Sequence, residues 1–584
     1  MLFLRVASTA RIATSRIPLI GAFTLVLLFA RNPALSAQDG QSQSDDTYTI
    51  RGIVINSVTH AAVAHALVVS ADNRFAKLTD GDGRFQFKIR RPPRQQNQGP
   101  VFTDSLSRGG MAQSRSVSSI FLMARKPGYF DSGGQQFWID AEGDDPPEVR
   151  LSLIPEARIT GRVNLSANDG TDKIQVQVYQ RQVQEGRAHW IPAGSVTTRA
   201  NGEFRFANLR EGDYKLFTEE LLDNDPLTFN PRGPTFGYPP VYFPSATDFE
   251  SAAVIHLTAG QVFSATLTPS RREYHSVRLG VLNAPPGGAV GVSVQPQAHR
   301  GPGYSLGFNM NDSAIEGMLP DGSYTVEVTS YGETGGTGTV NLSVSGGPVR
   351  GSSVSIVPHG LIEARVRDER TRADTTLAPG LRNLASALNI RLTPTDEFTP
   401  GNSRWLQPAQ DQENESLQFG NVPAGTYRVR AGCNPVGYVA AVNSGGRDLL
   451  QQPLVVGLGA AIPPLEITIR DDGAQLQGKI ENWPPEQRKQ TPSNRLGDAP
   501  TVVLLPMPDS SGQFCQMPAT PTGEYNFPQV PPGEYRVLTF EHLPQDLEYE
   551  NREAMQKYES SGLAVRLVAG QKEHLRLTLT TGSE

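Results

Sequence analysis

The chain has 584 residues, with 53 Lys and Arg against 59 Asp and Glu, and a formal net charge of −6. That acidity, with no basic block beyond Arg90, Arg91 and Arg94, argues against nucleic acid as a partner. Abundant Gly (57) and Pro (45) with 19% charged residues is turn-rich β composition rather than helical composition.

The first element is a targeting signal. Arg5, Arg11 and Arg16 precede the apolar run 17–30, and the small residues Ala34, Ser36 and Ala37 follow it. This predicts an export signal at 1–37 that is cleaved near Ala37. The rival, an uncleaved anchor, is too short: the apolar run is about 14 residues against the roughly 20 that span a bilayer. No Cys stands near the cleavage point for lipid attachment, and no later apolar run is of spanning length. No membrane span is therefore expected after cleavage, and the destination is the periplasm, the outer-membrane surface or the extracellular space. Cleavage removes four arginines and no acidic residue, so the formal charge moves to −10. Residues 38–47 are polar and predict a disordered leader.

From there one phrase keeps returning: TDGDGRFQFKI, RANGEFRFANLREGDYKL, EGMLPDGSYTVEV, LQFGNVPAGTYRVRA and TGEYNFPQVPPGEYRVLTF. Each is a Gly turn leading into alternating apolar positions, the mark of a hairpin strand. The recurrence predicts an all-β tandem array of small Ig-like or transthyretin-like sandwiches. The first is 48–155, with Phe85, Phe87 and Ile89 on one strand face and a long low-complexity loop at 90–117. The second is 156–270, opening ARITGRVNL and carrying a Pro-rich excursion at 225–244. The third, 271–358, is more diverged and lacks the opening Ile-x-Gly. The fourth is 359–472 and the fifth 473–581. Within the fifth, YENREAMQKYES at 549–560 predicts the one short helix, with Asn551 as its cap.

The recurring aromatics have a physical reason. Gly supplies the turn, and the aromatic that follows points between the sheets, where it removes a large apolar area from water. An inward Tyr then needs a partner for its hydroxyl.

The phrases Asp-Gly-x-Gly-x-Phe-x-Phe and Pro-x-Gly-x-Tyr-x-Val resemble carboxypeptidase regulatory-like domains, most closely over 50–89 and 159–216 and also over 417–431 and 476–537. The resemblance implies transthyretin-like seven-stranded sandwiches, grouped with carbohydrate-binding-like folds. It covers nearly everything after residue 47. Such domains serve as accessory modules on peptidases and receptors and in large exported bacterial proteins, and multi-unit chains of this look suggest an Acidobacteria-like origin. The resemblance implies an all-accessory chain, without a peptidase domain or a receptor barrel expected beside it.

Signatures of chemistry are sparse. Nine His include no HExxH, and no P-loop or GxGxxG in βαβ context occurs; GGTGTV at 335–340 reads as a glycine turn. His60 and His65 are five residues apart, which places them on opposite faces if both lie in a strand. Asp80 and Asp82 resemble the start of a calcium loop, but the twelfth position is Arg91 where a Glu is needed, so a plain hairpin turn is the competing reading. Cys433 and Cys515 fall 82 residues apart in adjacent units. In an oxidising compartment they could clamp those units as a disulfide, or remain two separate small buried thiols.

A sugar site would use exposed aromatics. The candidates are Trp190 and, in FGYPPVYFP, Tyr238, Tyr242 and Phe243. Trp405 and Trp483 lie in loops of the last two units. Each of these rings could equally cover the end of its own sandwich. The expectation is a non-catalytic exported binding or structural protein with no cofactor other than calcium to consider. Its partner would be a carbohydrate or cell-envelope glycan, or alternatively an envelope protein that it serves as an interaction subunit. A hydrolase would need an unrecognised site at a domain junction.

Overall fold

The computed structural model describes residues 47–90, 117–131, 135–140, 148–165, 173–222, 234–285, 288–332, 335–371, 388–398, 403–408, 417–432, 436–483, 499–508 and 510–580. The export signal, nearly all of the leader and residues 91–116 of the expected loop lie outside them.

The described chain is almost wholly β, and its sheets pair around five hydrophobic cores. One rule organises all five. The opening strand lies inside its sheet, with a later strand paired parallel to it. These parallel partners are Thr47–Asn56 with Val149–Pro155, Ala157–Val163 with Val262–Leu267, Arg272–Leu282 with Val349–Ser355, Gly360–Asp368 with Leu465–Arg470, and Ala474–Ile480 with Lys572–Leu577. In the second, fourth and fifth sandwiches the opening strand's other neighbour is the antiparallel strand carrying the repeated aromatics, Glu203–Leu209, Leu417–Val422 and Glu524–Val530.

This arrangement explains the Gly of the opening strands. A Cβ at Gly161 would overlap the Ala265 carbonyl of the parallel neighbour and the Phe204 ring that lies across the strand. Gly478 stands the same way against the Leu575 carbonyl and Tyr525. In the fourth sandwich the position is Ala364, and the residue opposite is Leu417 rather than an aromatic. The larger residue on one strand is accommodated by the smaller on its partner.

The hydroxyl demanded by an inward Tyr is met locally. Tyr214 donates to the Arg210 carbonyl at 2.8 Å, Tyr324 to Pro320 at 2.8 Å, Tyr427 to Pro423 at 2.9 Å and Tyr535 to Pro531 at 2.6 Å. Each bond runs back four residues across the Gly turn, so one side chain fills the core and ties the corner shut. Burial pushes the Tyr214 and Tyr427 hydroxyls up to about 12.

Strands Gly212–Thr218 and Thr501–Pro506 are buried on both faces, which the near-continuous apolar run TVVLLP of the second suggests. The second face of Thr501–Pro506 is covered by Leu547 and Tyr558 from the segment around the short helix Arg552–Met555. Asn551 caps that helix as expected, accepting from the Glu553 and Ala554 amides. The Pro-rich excursion behaves differently from a loop of the second sandwich. Its strand Thr235–Tyr238 pairs with Arg272–Leu282 and extends a sheet of the third.

Candidate functional site

The expected recognition aromatics are not a surface patch. Trp190, Tyr238 and Tyr242 are 8%, 2% and 2% exposed. Phe243 packs into the second sandwich's core against Phe263, ring centres 5.7 Å apart. Tyr238 lies on the strand that joins the second and third sandwiches. Apolar rings with this much area are drawn into whatever can cover them, and here the cover comes mostly from the second sandwich itself, with Phe398 added from the fourth.

Trp190 and Tyr242 do meet, in one cluster with Phe217, Phe249 and Ala252. Phe217 stacks on Tyr242 at 5.1 Å, and Phe249 stands edge-on to Trp190 at 5.7 Å and to Phe398 of the fourth sandwich at 5.3 Å. The Trp190 amide donates to the Glu397 carbonyl at 2.8 Å, and the Tyr242 hydroxyl donates to Pro302 of the third sandwich. Lys215 is buried beneath. Its ammonium lies 5.1 Å from the Trp190 ring centre and 4.8 Å from that of Phe249, and donates to the Phe249 and Glu250 carbonyls. Burial lowers its pKa, against the pull of Glu397, Glu250 and Asp248. The cavity left among Trp190, Lys215, Phe249, Glu250, Arg300, Glu397 and Phe398 is about 80 Å³. Ligand sites generally run from about 300 Å³ upward, so this cluster is an interface core rather than a sugar cleft.

A second junction locks sandwiches two, four and five. Strands Gln175–Gln184 and Arg187–Thr197 form a long hairpin whose tip is Glu185 and Gly186, both with positive φ. Glu185 accepts from Arg391 Nε at 2.8 Å and from the Thr393 hydroxyl at 2.9 Å. Gly186 lies against the Tyr549 ring so closely that a Cβ there would clash. Tyr549 in turn stacks on Phe514 at 3.9 Å, with 7° between the ring planes. Arg181 pairs with Glu548 at 2.5 Å, Arg187 with Glu550 at 3.3 Å, and Arg430 also pairs with Glu550. Sequence reasoning missed this site, because Glu-Gly at a hairpin tip looks like any turn. The only available signal was the unusual length of the two strands.

The remaining candidates resolve as local structure. Asp80 accepts from the Asp82 and Arg84 amides at 3.0 and 2.7 Å, so one carboxylate oxygen closes the hairpin turn. His60 and His65 both have φ 55° and sit in turns rather than alternating along a strand. Among the described residues no group of three or more His, Cys, Asp or Glu is placed to hold a metal. Cys515 is buried in the fifth core and is not a free thiol; Cys433, the other cysteine of the sequence, lies outside the described residues. At the third–fourth junction, His359 Nδ1 donates to Asn421 Oδ1 at 2.7 Å, and Nε2 accepts from the Thr337 hydroxyl at 2.8 Å. That is a neutral tautomer, and burial lowers its pKa accordingly. It borders a cavity of about 210 Å³ lined by Val357, Val422, Val456 and Leu458 among others.

No family model and no curated protein matches the chain. Among solved structures it is similar to the TIE protein of Bacillus anthracis, at 10% identity and TM-score 0.16, over 53% of this chain and 51% of that one. The match thus spans about half the length of the TIE protein. It is also similar to the shaft pilin SpaA of Lactobacillus rhamnosus GG, at 9% identity and TM-score 0.19, covering 38% of this chain and 98% of the pilin. The minor pilin GBS52 of Streptococcus agalactiae matches at 10% identity and TM-score 0.17, over 38% and 95%. At such values the likenesses carry no argument about what this chain binds or does.

Proposed function

We propose that this chain is a non-catalytic, exported array of carboxypeptidase regulatory-like sandwiches, with units at 48–155, 156–270, 271–358, 359–472 and 473–581, that binds a cell-envelope glycan as one pre-organised body. The observation that carries the reading is the placement of Trp405. It is 52% exposed on the outer side of the fourth sandwich, with the Arg391 guanidinium 5.2 Å from its ring centre. An exposed indole, held in place by a guanidinium over its ring, is a surface on which a sugar ring can stack. Locked junctions support it by sparing the ordering cost that a flexible string would meet on binding. Export is supported by the basic and apolar leader. Among the described residues no helix is long and apolar enough to cross a membrane.

The test is retention of the processed chain on a panel of insoluble and soluble glycans, with Trp405→Ala beside it. Saturable binding to one polymer, weakened at least tenfold by the substitution, is expected. An absence of binding across the panel would sink the glycan reading. The weight would then pass to an envelope-protein partner, for which a separate observation speaks: Val455 and Leu458, 62% and 45% exposed, lie along the edge strand Leu454–Val456 and the turn beside the 210 Å³ cavity.

A further inference from the structure

In a chain of net charge −6, five arginines gather where sandwiches two, four and five meet: Arg181, Arg187, Arg391, Arg428 and Arg430. Three of them share one sheet face. Arg391 stands directly opposite Arg430 across the ladder, and Thr393 stands opposite Arg428. Residues two apart on a strand point the same way. Since Leu392, Tyr427 and Val429 fill the core, Arg391, Thr393, Arg428 and Arg430 project outward. Like charges opposed across a ladder repel, and such a face needs anions between its cations.

The protein supplies three. Glu185 is taken up by Arg391 and Thr393, Glu550 is shared by Arg187 and Arg430, and Glu548 pairs with Arg181. Among the described residues, Arg428 has no carboxylate partner. Its guanidinium donates to the Gln451 carbonyl at 2.8 Å. Burial lowers its pKa, and the charge that lowers it further is another cation, Arg187. Arg187 itself divides its donors between Glu550 and the Thr395 carbonyl and remains 36% exposed. Two partly exposed guanidinium forks with donors to spare, with no ion pair to Arg428 among the described residues, offer a receptor for a planar or tetrahedral oxyanion.

We propose that Arg428 and Arg187 bind an external oxyanion, a carboxylate, sulfate or phosphate group, at this junction. The site stands independently of the glycan reading, because it rests on the charge inventory and strand register rather than on Trp405. A sugar carboxylate and an inorganic anion share this chemistry, and the experiment separates them. The processed chain is titrated calorimetrically with sodium sulfate, sodium phosphate and a uronic acid monosaccharide, each at ionic strength matched with chloride. Saturable binding of at least one is expected. Saturation by the uronic acid alone assigns a sugar carboxylate, and saturation by sulfate or phosphate assigns an inorganic oxyanion. Arg428→Gln, which breaks no ion pair, should weaken binding tenfold or more. Arg428→Lys should recover part of the loss, and Arg199→Gln, on a distant exposed turn, should change nothing. The proposal fails if none of the three anions saturates, or if Arg428→Gln binds as the parent does.

Discussion

Tyr535 shows how much one residue does in each repeat. It is fully buried, donates to Pro531 and accepts from the Gln513 amide at 3.1 Å. Tyr535→Phe keeps the ring and removes the oxygen, so a buried carbonyl and a partly buried amide both lose a partner. The expected cost is about 1–3 kcal/mol, read as a lower denaturation midpoint of the fifth sandwich. An unchanged midpoint would mean that the corner bond contributes nothing. The Gly and Tyr positions were legible in sequence because each meets a local demand, a turn or a nearby carbonyl four residues back. Of the two readings the sequence left open for Trp190 and Tyr242, burial is the one seen, and part of their cover, Glu397, Phe398 and Pro302, comes from other units, which no local pattern announces.

At the scale of elements, the excursion from the second sandwich is the one that departs most from expectation. Where it leaves strand Gly212–Thr218, Glu220 reaches the third sandwich and accepts from the Ser305 amide at 3.0 Å and from its hydroxyl at 3.2 Å. Among the described residues, its other carboxylate oxygen and the Tyr274 hydroxyl are buried without hydrogen-bond partners. Burial, aided by the Glu219 charge and opposed by the Ser305 bonds, pushes the Glu220 carboxyl from an ordinary 4.5 up to about 6. The folded state therefore holds this proton more tightly than the unfolded chain. The resulting stability is fully present below about pH 4.5 and is lost as pH rises through about 6, a swing of about 2 kcal/mol. Glu220→Gln should raise the thermal midpoint relative to the parent at pH 8 and leave it unchanged at pH 4. An equal effect at both values would show that the carboxyl's charge is not the cause.

For the whole molecule, the junction around Glu185 and Glu550 ties the second, fourth and fifth sandwiches together. Glu550→Ala strips the anion from Arg187 and Arg430 together, and breaking a largely buried pair costs about 3–5 kcal/mol. The second sandwich should then swing free of the fourth and fifth. Cys433 and Cys515, proposed to be bonded to each other, would keep the fourth and fifth together. Small-angle scattering should record a larger radius of gyration for Glu550→Ala under non-reducing conditions, with a further rise on reduction. A radius equal to the parent's would show that the aromatic contacts around Phe249 and Phe398 suffice to hold the junction.

The sequence by itself determined the sandwiches. Alternation, Gly turns and inward aromatics are short-range patterns, and each core closes within roughly one hundred residues of chain, as domains of this size do. Only the tertiary structure decided the junctions. Glu185 meets Arg391 across 206 positions, and Arg181 meets Glu548 across 367. A charged residue on an outer strand face reads the same in sequence whether water or another sandwich lies beyond it. What distinguishes the two is the packing of already folded units against one another, and that packing leaves no period in the chain.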